Sequence, residues 1–381
     1  MRSVTRQALM ALPFVGFLVA CADQSATVPS GSGGSSDSGG SPSTGGQSGS
    51  GGGGGGAGGA ISDAPPASGS GGQLAGSDAA GGQAGTMTDG AAGAGAGDAG
   101  YGGADKLTCR PGTDGNGKHD LPAGNPPEWT LKAGVVAGRL TASASFASKV
   151  YGQHFPYRIY SSANYVQGKP AIFMTFGDGL SQYLGGFHTA TVIDNLVAVG
   201  EMPPTVVLFI DPPSDGDRVK TYDPPTPKYA QFLMEEIIPA VISPTYSISK
   251  DPEAWATGGY SASGEQGFTV VWNRPDNFHK FIGHNTSFGA SIDYNHWIWA
   301  DEIMKAPMRQ LRVSLVTSTN DLADQRGKWL EINTNVANAL AAKGNDWRLM
   351  IGTGPHSPPG DSPRDFPNAL RWMWKGCSFS N

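Results

Sequence analysis

The sequence predicts an α/β fold in which helices cover both faces of a mostly parallel sheet. Short apolar runs bounded by Gly, Pro and Asp, such as PAIFMTF (170–176) and TVVLFI (205–210), are typical of buried parallel strands. Helical patterns stand between such runs, as in KWLEINTNVANALAAKG (328–344), where apolar residues recur at helical spacing before a terminal glycine. Strands that alternate with helices along a chain favour a parallel sheet with a helical layer on each face.

The predicted elements follow one another between residues 148 and 376. In chain order they are a strand or hairpin at 148–162, a strand at 170–176, a helix at 188–201, a strand at 205–210, a helix at 227–241, a strand at 253–260, a helix at 264–272, strands at 280–287 and 311–319, a helix at 328–344, a strand at 347–354 and a helix at 367–376. Ligands of such sheets bind at the carboxyl ends of the strands, so functional residues are expected there. DGNGKHD (114–120), ahead of these elements, is predicted to be a turn.

Three regions of different composition divide the chain of 381 residues. Residues 1–20 combine two arginines with an apolar run, which is typical of a secretion signal and too short for a spanning helix. Cys21 stands where a bacterial lipobox places its lipidated cysteine, although cleavage near Ala22 into a soluble secreted protein is the alternative. The rest of 21–104 is a Gly-, Ser- and Ala-rich linker, predicted to be disordered because it has almost no large apolar side chains. Residues 105–381 hold all nine tryptophans and suit one domain with a full core.

These features predict that the protein is exported and that its partner is a membrane, reached through a lipid anchor. A lipid on Cys21 would hold the protein to a bacterial membrane, on the periplasmic or cell-surface side. Outside the cytoplasm an even pair of cysteines suggests a disulfide, here between Cys109 and Cys377, and two unrelated buried thiols are the alternative. The net charge of −6 provides no basic surface for nucleic acid. Neither zinc-ligand spacing nor a C-x-x-C motif occurs, so no metal or other cofactor is predicted.

A serine, an aspartate and a histidine follow three of the predicted strands in that order. ATGGYSASGEQGF (256–268) leads from a strand through Ser261 into a helix, while Asp321 and His356 follow two later strands. Ser, Asp, His is the chain order of α/β-hydrolase triads, in which the serine occupies a strained strand-to-helix turn. In that chemistry the hydroxyl of Ser261 attacks a carbonyl while His356 takes its proton, and Asp321 orients the imidazole of His356. Each feature alone is an ordinary cap or turn signal, but their order and placement favour the triad.

Backbone N–H groups are expected to hold the oxyanion that forms during such an attack. One is that of Ala262, directly after the serine, and the second comes from the Gly-Asp-Gly loop at Gly177 and Asp178. The turn departs from G-x-S-x-G because Ser263 occupies the position of the second glycine. Serine is small, so the turn is expected to be strained rather than forbidden.

Beyond these motifs, the sequence resembles the enterochelin esterase-like family of α/β-hydrolases. The likeness is carried by GGYSASGEQGFTVVWNRPDNFHKFIGHNTSF (258–288), by FMTFGDG upstream and by STNDLADQRGKWLEINTNVANALAAKGNDWRLMIGTGPHS downstream, and it spans most of residues 125–376. It aligns Ser261 with the nucleophile of the family, Asp321 with the acid and His356 with the base. It implies an α/β-hydrolase fold and the cleavage of esters in siderophores, in feruloylated or acetylated carbohydrates, or in small acyl compounds.

The resemblance also implies substrate contacts and leaves two functions open. Trp329 aligns with a family tryptophan near the acid, and Tyr222 with Asp223 aligns with a family Tyr-Asp pair, although core packing and a loop turn are alternatives for them. TSTND replaces the more usual DGTND, and GPH replaces GGH. The first function is a membrane-tethered serine esterase that works through an acyl-enzyme. The second is a catalytically degenerate lipoprotein that keeps this fold and binds a glycan or siderophore without turnover.

Overall fold

A computed structural model describes residues 105–110, 112–213, 218–288, 298–324, 327–357 and 360–379. The predicted signal at 1–20, the lipidation site Cys21 and the linker at 21–104 lie outside the described residues. Within those ranges, no helix combines the length and the apolar character that a membrane crossing requires.

Strands and helices alternate through the described part of the chain. The strands are β1 Leu107–Thr108, β2 Gly117–Asp120, β3 Arg139–Leu140, β4 Ala144–Ser148, β5 Gln153–Ser161, β6 Ile172–Gly177, β7 Thr205–Ile210, β8 Trp255–Tyr260, β9 Lys280–His284, β10 Arg312–Asn320, β11 Ala323–Asp324, β12 Gly327–Lys328, β13 Asp346–Pro355 and β14 Ser378–Phe379. The helices are α1 Thr189–Ala198, α2 Arg218–Tyr222, α3 Lys228–Gln231, α4 Ala262–Asn273, α5 Trp299–Lys305, α6 Trp329–Ala342 and α7 Phe366–Met373. Two wider helical segments are Gly179–Tyr183, after β6, and Phe232–Ile242, which continues α3.

Ten of these strands form the central sheet, in the order β2-β13-β10-β9-β8-β6-β7-β5-β3, with β4 paired to β5. Neighbours from β2 to β7 run parallel, whereas β5 is antiparallel to β7, β3 and β4. Every residue of β6, β7, β8 and β9 is buried, which is why β6 and β7 appear in the sequence as mostly apolar runs. The predicted mostly parallel sheet is therefore confirmed.

Helices pack on both faces of this sheet. Phe281 of β9 contacts Phe268 of α4, with ring centroids 5.4 Å apart. His284, three residues further along the same strand, contacts Phe366 of α7 at 5.9 Å. Because successive side chains of a strand point to opposite faces, these two contacts place α4 and α7 on opposite sides of the sheet.

The two ends of the described domain are joined to each other. Cys109 and Cys377 form a disulfide, and next to it β1 pairs with β14 in antiparallel fashion. The bridge closes a loop with a sequence separation of 268 residues, so it links nearly the whole domain.

Opening this crosslink is expected to lower the stability of the domain. In the double variant Cys109→Ser, Cys377→Ser, the unfolded chain regains its loop-closure entropy, which is worth about 2–5 kcal/mol. For a domain of this size that corresponds to a Tm lower by roughly 4–10 °C. Thermal unfolding followed by circular dichroism, with and without reductant, measures the effect. A variant with the wild-type Tm would show that the bridge does not stabilise the fold.

Part of the segment predicted to be a turn is a strand. Residues 117–120 form β2, which pairs in parallel with β13 at the edge of the sheet. Three of its four residues are exposed and none is apolar, so neither face carries the alternating pattern by which strands are recognised.

Candidate active site

Ser261 lies at the turn between β8 and α4, where the sequence predicts a nucleophile. Its backbone has φ +60° and ψ −125°, a conformation that costs free energy for any residue with a side chain. The surroundings hold it in place, because its N–H donates to the carbonyl of His284 at 2.9 Å and its own carbonyl accepts from Gly264 at 3.0 Å. The turn therefore has the strained form that presents a serine hydroxyl at the end of a strand.

The side chains of Ser261, His356 and Asp321 lie in contact with one another. The distance from Nε2 of His356 to Oγ of Ser261 is 3.2 Å, and that from Nδ1 of His356 to Oδ1 of Asp321 is 2.6 Å. With its proton on Nδ1, the imidazole donates to the carboxylate and accepts from the serine hydroxyl. The three residues are distant in sequence and come together because β8, β10 and β13 end at the same edge of the sheet.

The side chain of Asp321 is buried, and both of its carboxylate oxygens accept hydrogen bonds. Oδ1 accepts from the N–H of Leu322 at 2.8 Å as well as from His356, while Oδ2 accepts from Nδ2 of Asn285 at 2.7 Å and from Oγ1 of Thr317 at 3.0 Å. Burial alone would raise the pKa of Asp321, but the hydrogen bonds from His356, Leu322 and Asn285 outweigh it and hold the pKa below its ordinary value. The carboxylate therefore stays ionised at neutral pH and can stabilise a protonated His356.

Two aromatic rings flank the imidazole of His356. The ring of Trp329, which is buried, meets it edge-on with centroids 4.7 Å apart, and the ring of Tyr260 lies at 5.2 Å. Trp329, for which the family resemblance implies a substrate contact and core packing is the alternative, thus packs against the imidazole of His356.

Tyr222 and Asp223, the other residues predicted to contact substrate, are also buried, with exposed fractions of 1% and 2%. The hydroxyl of Tyr222 accepts a hydrogen bond from the backbone N–H of Asp178 at 3.2 Å. Tyr222 thus contacts the loop that was expected to supply an oxyanion donor, and in this structure the N–H of Asp178 already has an acceptor.

The remaining expected oxyanion groups lie around Ser261. Ala262 is the first residue of α4, so its N–H has no acceptor within the helix. Gly177 ends β6, and Asp178 follows it with a positive φ of 50°. The carboxylate of Asp178 is held by both Nε and Nη2 of Arg218, with Nε at 3.1 Å. Arg218 was not anticipated from the sequence; its only signal is a position shortly before Tyr222.

Ser263 has a packing role in this turn. Its hydroxyl donates to the carbonyl of Tyr260 at 2.8 Å and accepts from the N–H of the same residue at 2.9 Å, and the side chain is fully buried. A Cβ on Gly177 would lie 2.8 Å from that of Ser263, and a Cβ on Gly259 only 2.1 Å from its carbonyl oxygen. The Cβ of Ser263 fits because Gly177 has none, whereas Gly259 makes room for the backbone of residue 263. Of the two serines in the turn, Ser261 is the one that contacts His356.

Replacing Ser263 by glycine is expected to maintain or raise activity while lowering stability. The change removes two hydrogen bonds, worth about 0.5–1.5 kcal/mol each, and adds the backbone entropy of a helical glycine, about 1 kcal/mol. Steady-state kinetics on a chromogenic ester and thermal unfolding measure the two effects separately. Loss of activity in folded Ser263→Gly protein would contradict the packing role assigned to this residue.

A cavity of about 610 Å³ opens beside Ser261 and His356. Its apolar part is formed by three prolines and Tyr260, and its polar part includes the Asp178–Arg218 pair and Asp211. Burial alone would lower the pKa of Arg218, but its hydrogen bonds and charge interaction with Asp178 outweigh burial and raise the pKa. The cavity can thus take a substrate that combines an apolar portion with hydrogen-bonding groups.

The described part of the chain has no cluster of metal-ligating side chains. No group of three or more His, Cys, Asp or Glu side chains is arranged there to hold a metal ion.

Comparison with known proteins identifies the fold. No protein-family model matches the sequence. The structure is similar to enterochelin esterase from Shigella flexneri, with a TM-score of 0.54, 14% identity and coverage of 65% of this chain and 61% of that one. It is also similar to ferric enterobactin esterase from Salmonella typhimurium, with a TM-score of 0.52, 17% identity and coverage of 65% of this chain and 61% of that one. A third similar structure is a mutant of the feruloyl esterase module from Clostridium thermocellum, complexed with sinapinate. Its TM-score is 0.50 and its identity 14%, and the match covers 68% of this chain and 94% of that one.

The matched region spans less than two thirds of the length of the enterochelin esterase and of the ferric enterobactin esterase. At identities of 14–17%, these similarities show the fold of the domain and do not show its activity. The parallel sheet, the strained serine turn at the end of β8 and these similarities together establish that the domain has the α/β-hydrolase fold.

Proposed function

We propose that the domain is a serine esterase that cleaves carboxylic esters through an acyl-enzyme on Ser261. The observation that carries this proposal is the chain of contacts from Ser261 Oγ to His356 Nε2, 3.2 Å, and from His356 Nδ1 to Asp321 Oδ1, 2.6 Å. Such a chain turns an unreactive hydroxyl into a nucleophile because the base lies within reach of its proton.

The proposed reaction has two halves. Ser261 Oγ attacks the ester carbonyl as its proton passes to His356 Nε2, and the C–O bond to the alcohol breaks when His356 returns that proton to the leaving oxygen. Water then attacks the acyl-enzyme as its proton passes to His356 Nε2, and the bond from Ser261 Oγ to the acyl carbon breaks when His356 returns that proton to Oγ, which releases the acid. Asp321 stays ionised and stabilises the imidazolium in both halves. The N–H of Ala262 and a second donor from the loop at Gly177–Asp178 hold the oxyanion.

For the substrate we propose an ester of a siderophore, a carbohydrate-linked ester or a small acyl ester. One neighbour is named for enterochelin, one for ferric enterobactin and one for feruloyl esters. The mixed apolar and polar lining of the 610 Å³ cavity suits that class.

We also propose that the esterase acts outside the cytoplasm and that a lipid on Cys21 anchors it to the membrane. The leader at 1–20 and the lipobox carry this idea, and the Cys109–Cys377 disulfide fits an oxidising compartment. Expression of the full chain with Cys21→Ala, followed by fractionation, tests it. Wild-type protein in the membrane fraction and variant protein in the soluble fraction are expected, and equal soluble recovery of both would refute the anchor.

A second candidate function is a binding lipoprotein that retains the fold without turnover. The observation that favours it is the hydrogen bond between Asp178 N–H and the hydroxyl of Tyr222, because this occupies a donor that the oxyanion would need. The contact of Ser261 with His356 favours the esterase.

Inactivation by a fluorophosphonate during ester hydrolysis separates the two functions. The purified protein is given p-nitrophenyl acetate and methyl ferulate, and activity is followed against the number of phosphonyl groups bound per chain. An esterase loses activity in proportion to labelling and reaches zero at one group per chain. A protein that binds these esters, releases no acid and takes up no label would be the binding lipoprotein.

A further inference from the structure

The oxygen of Asp321 that faces away from His356 is held by two neutral donors. Asn285 Nδ2 lies 2.7 Å and Thr317 Oγ1 lies 3.0 Å from Oδ2. Both donors are buried, with exposed fractions of 2% and 0%. A carboxylate bonded through one oxygen alone could turn about its Cβ–Cγ bond, whereas donors on both oxygens fix the plane of the group.

Asn285 is itself held in one orientation. Its backbone has a φ of +46°, which is uncommon for a residue other than glycine, and its N–H donates to the carbonyl of Val316 at 2.7 Å. Its Oδ1 accepts from the hydroxyl of Ser362. Because an ionised carboxylate can only accept hydrogen bonds, the amide nitrogen of Asn285 faces Asp321 and the amide oxygen faces the hydroxyl of Ser362.

The position of Asn285 connects all three predicted catalytic residues. It directly follows His284, whose carbonyl accepts the N–H of Ser261 at 2.9 Å. Ser362, six residues after His356, begins the short 3-10 helix Ser362–Asp365. The end of β9 therefore contacts the backbone of the nucleophile, the side chain of the acid and the segment that follows the base.

We infer that Asn285, assisted by Thr317, is a positioning residue that aligns the carboxylate of Asp321 with the imidazole of His356. The inference rests on the esterase function proposed above and adds a role that the triad alone does not specify. Asn285 acts through Asp321 and touches neither substrate nor the reacting atoms. Its loss would leave Oδ2 short of a buried donor and allow Oδ1 to move away from Nδ1, and misplacements of about 1 Å in catalytic groups cost roughly 10²-fold in rate.

Three variants separate positioning from mere stabilisation. Asn285→Leu removes the amide at similar volume, and Thr317→Val removes the hydroxyl in a nearly isosteric way. Asn345→Leu is the matched control, because Asn345 is a buried amide that accepts from Leu311 N–H and donates to the carbonyl of Leu340 at the opposite end of the sheet. The measurements are kcat, KM, the rate of fluorophosphonate labelling and Tm.

We expect Asn285→Leu to lower kcat and the labelling rate by about 10–100-fold, with KM changed less than threefold. We expect Thr317→Val to lower both rates several-fold and the control to lose Tm without losing kcat. Wild-type kcat in both Asn285→Leu and Thr317→Val, or an equal loss of kcat in the control at equal loss of Tm, would overturn the inference. If Asn285→Leu does not fold, Thr317→Val decides the outcome.

A spectroscopic readout keeps this test apart from the test of the esterase function. The proton on Nδ1 of His356, shared with Asp321, should give a low-field NMR signal in the full protein whether or not an ester is turned over. The signal should be displaced or lost in Thr317→Val or Asn285→Leu and unchanged in the control. Absence of hydrolysis by the wild-type protein would refute the esterase, and an unmoved signal in the variants would refute the positioning role.

Discussion

Replacing Ser261 by alanine is expected to lower kcat for ester hydrolysis by at least about 10⁴-fold, because loss of the nucleophile leaves only binding and oxyanion stabilisation. The hydroxyl makes no backbone hydrogen bond that the fold needs, since the turn is held by the N–H and carbonyl of the same residue. The Tm should therefore stay close to that of the wild type. Hydrolysis of p-nitrophenyl acetate, with thermal unfolding of the same samples, measures both quantities.

The matched control for this change lies two residues away. Ser263→Ala removes the other hydroxyl of the turn, which bonds only to the backbone of Tyr260. We expect its kcat to stay within a few-fold of the wild type and its Tm to fall. If Ser261→Ala kept more than a tenth of wild-type activity, or if Ser263→Ala lost activity in its place, the nucleophile would have been wrongly assigned.

Replacing Asp321 by asparagine is expected to lower kcat by about 10⁴-fold, the loss seen when the acid of a serine hydrolase is neutralised at constant geometry. An asparagine amide facing His356 would donate to Nδ1 and place the imidazole proton on Nε2, where it cannot accept from Ser261. The fluorophosphonate labelling rate should fall in parallel with kcat, while KM should change little. An Asp321→Asn protein with near wild-type labelling would show that Asp321 does not orient His356.

The neutral partners of Asp321 provide a control for that result as well. Asn285 and Thr317 donate to Oδ2 alone, so their variants should show a smaller loss than Asp321→Asn in the same assay. A graded series, with the largest loss for the acid and smaller ones for its two donors, is the expected outcome.

Much of the fold could be predicted because buried parallel strands leave a plain signal in sequence. PAIFMTF and TVVLFI correspond to β6 and β7, all of whose residues are buried. The order of the elements then gives a mostly parallel sheet, and the rule that ligands bind at carboxyl strand ends selects Ser261, Asp321 and His356 for attention. The structure places these three side chains at that edge of the sheet.

The residues around the site could not be found in the same way. The apolar run predicts a strand at 280–287 that includes Asn285, but β9 ends at His284 and Asn285 has a positive φ. Its partners Asp321 and Ser362 are 36 and 77 residues away in sequence, so only the folded chain brings them together. The polar Asn-Thr-Ser run after an apolar strand was the one local signal of a special turn.

The resemblance to a family selects two aromatic residues near the site and leaves substrate contact and packing open for them. Trp329 and Tyr222 were selected as substrate contacts because they align with family residues, yet both side chains are 1% exposed. One packs on His356 and the other accepts the N–H of Asp178. An aromatic residue near a site looks the same in sequence whether its ring lines the cavity or supports the wall behind it.

The substitution in the serine turn is compensated by its neighbours. Ser263 occupies the place of a glycine, and the structure accommodates its Cβ against Gly177, which has none. The sequence predicts a strained turn because Ser263 replaces a glycine. The structure relieves that strain where the side chain of Ser263, in α4, packs against Gly177 at the end of β6.

The most direct measurement for the proposed mechanism is the site of a trapped adduct. The protein is labelled with a fluorophosphonate, digested and mapped by mass spectrometry across the peptide that holds both Ser261 and Ser263. We expect one phosphonyl group per chain, located on Ser261, absent from Ser261→Ala and present at the wild-type rate in Ser263→Ala. An adduct on Ser263, or equal labelling of the Ser261→Ala protein, would contradict the assignment of Ser261 as the nucleophile.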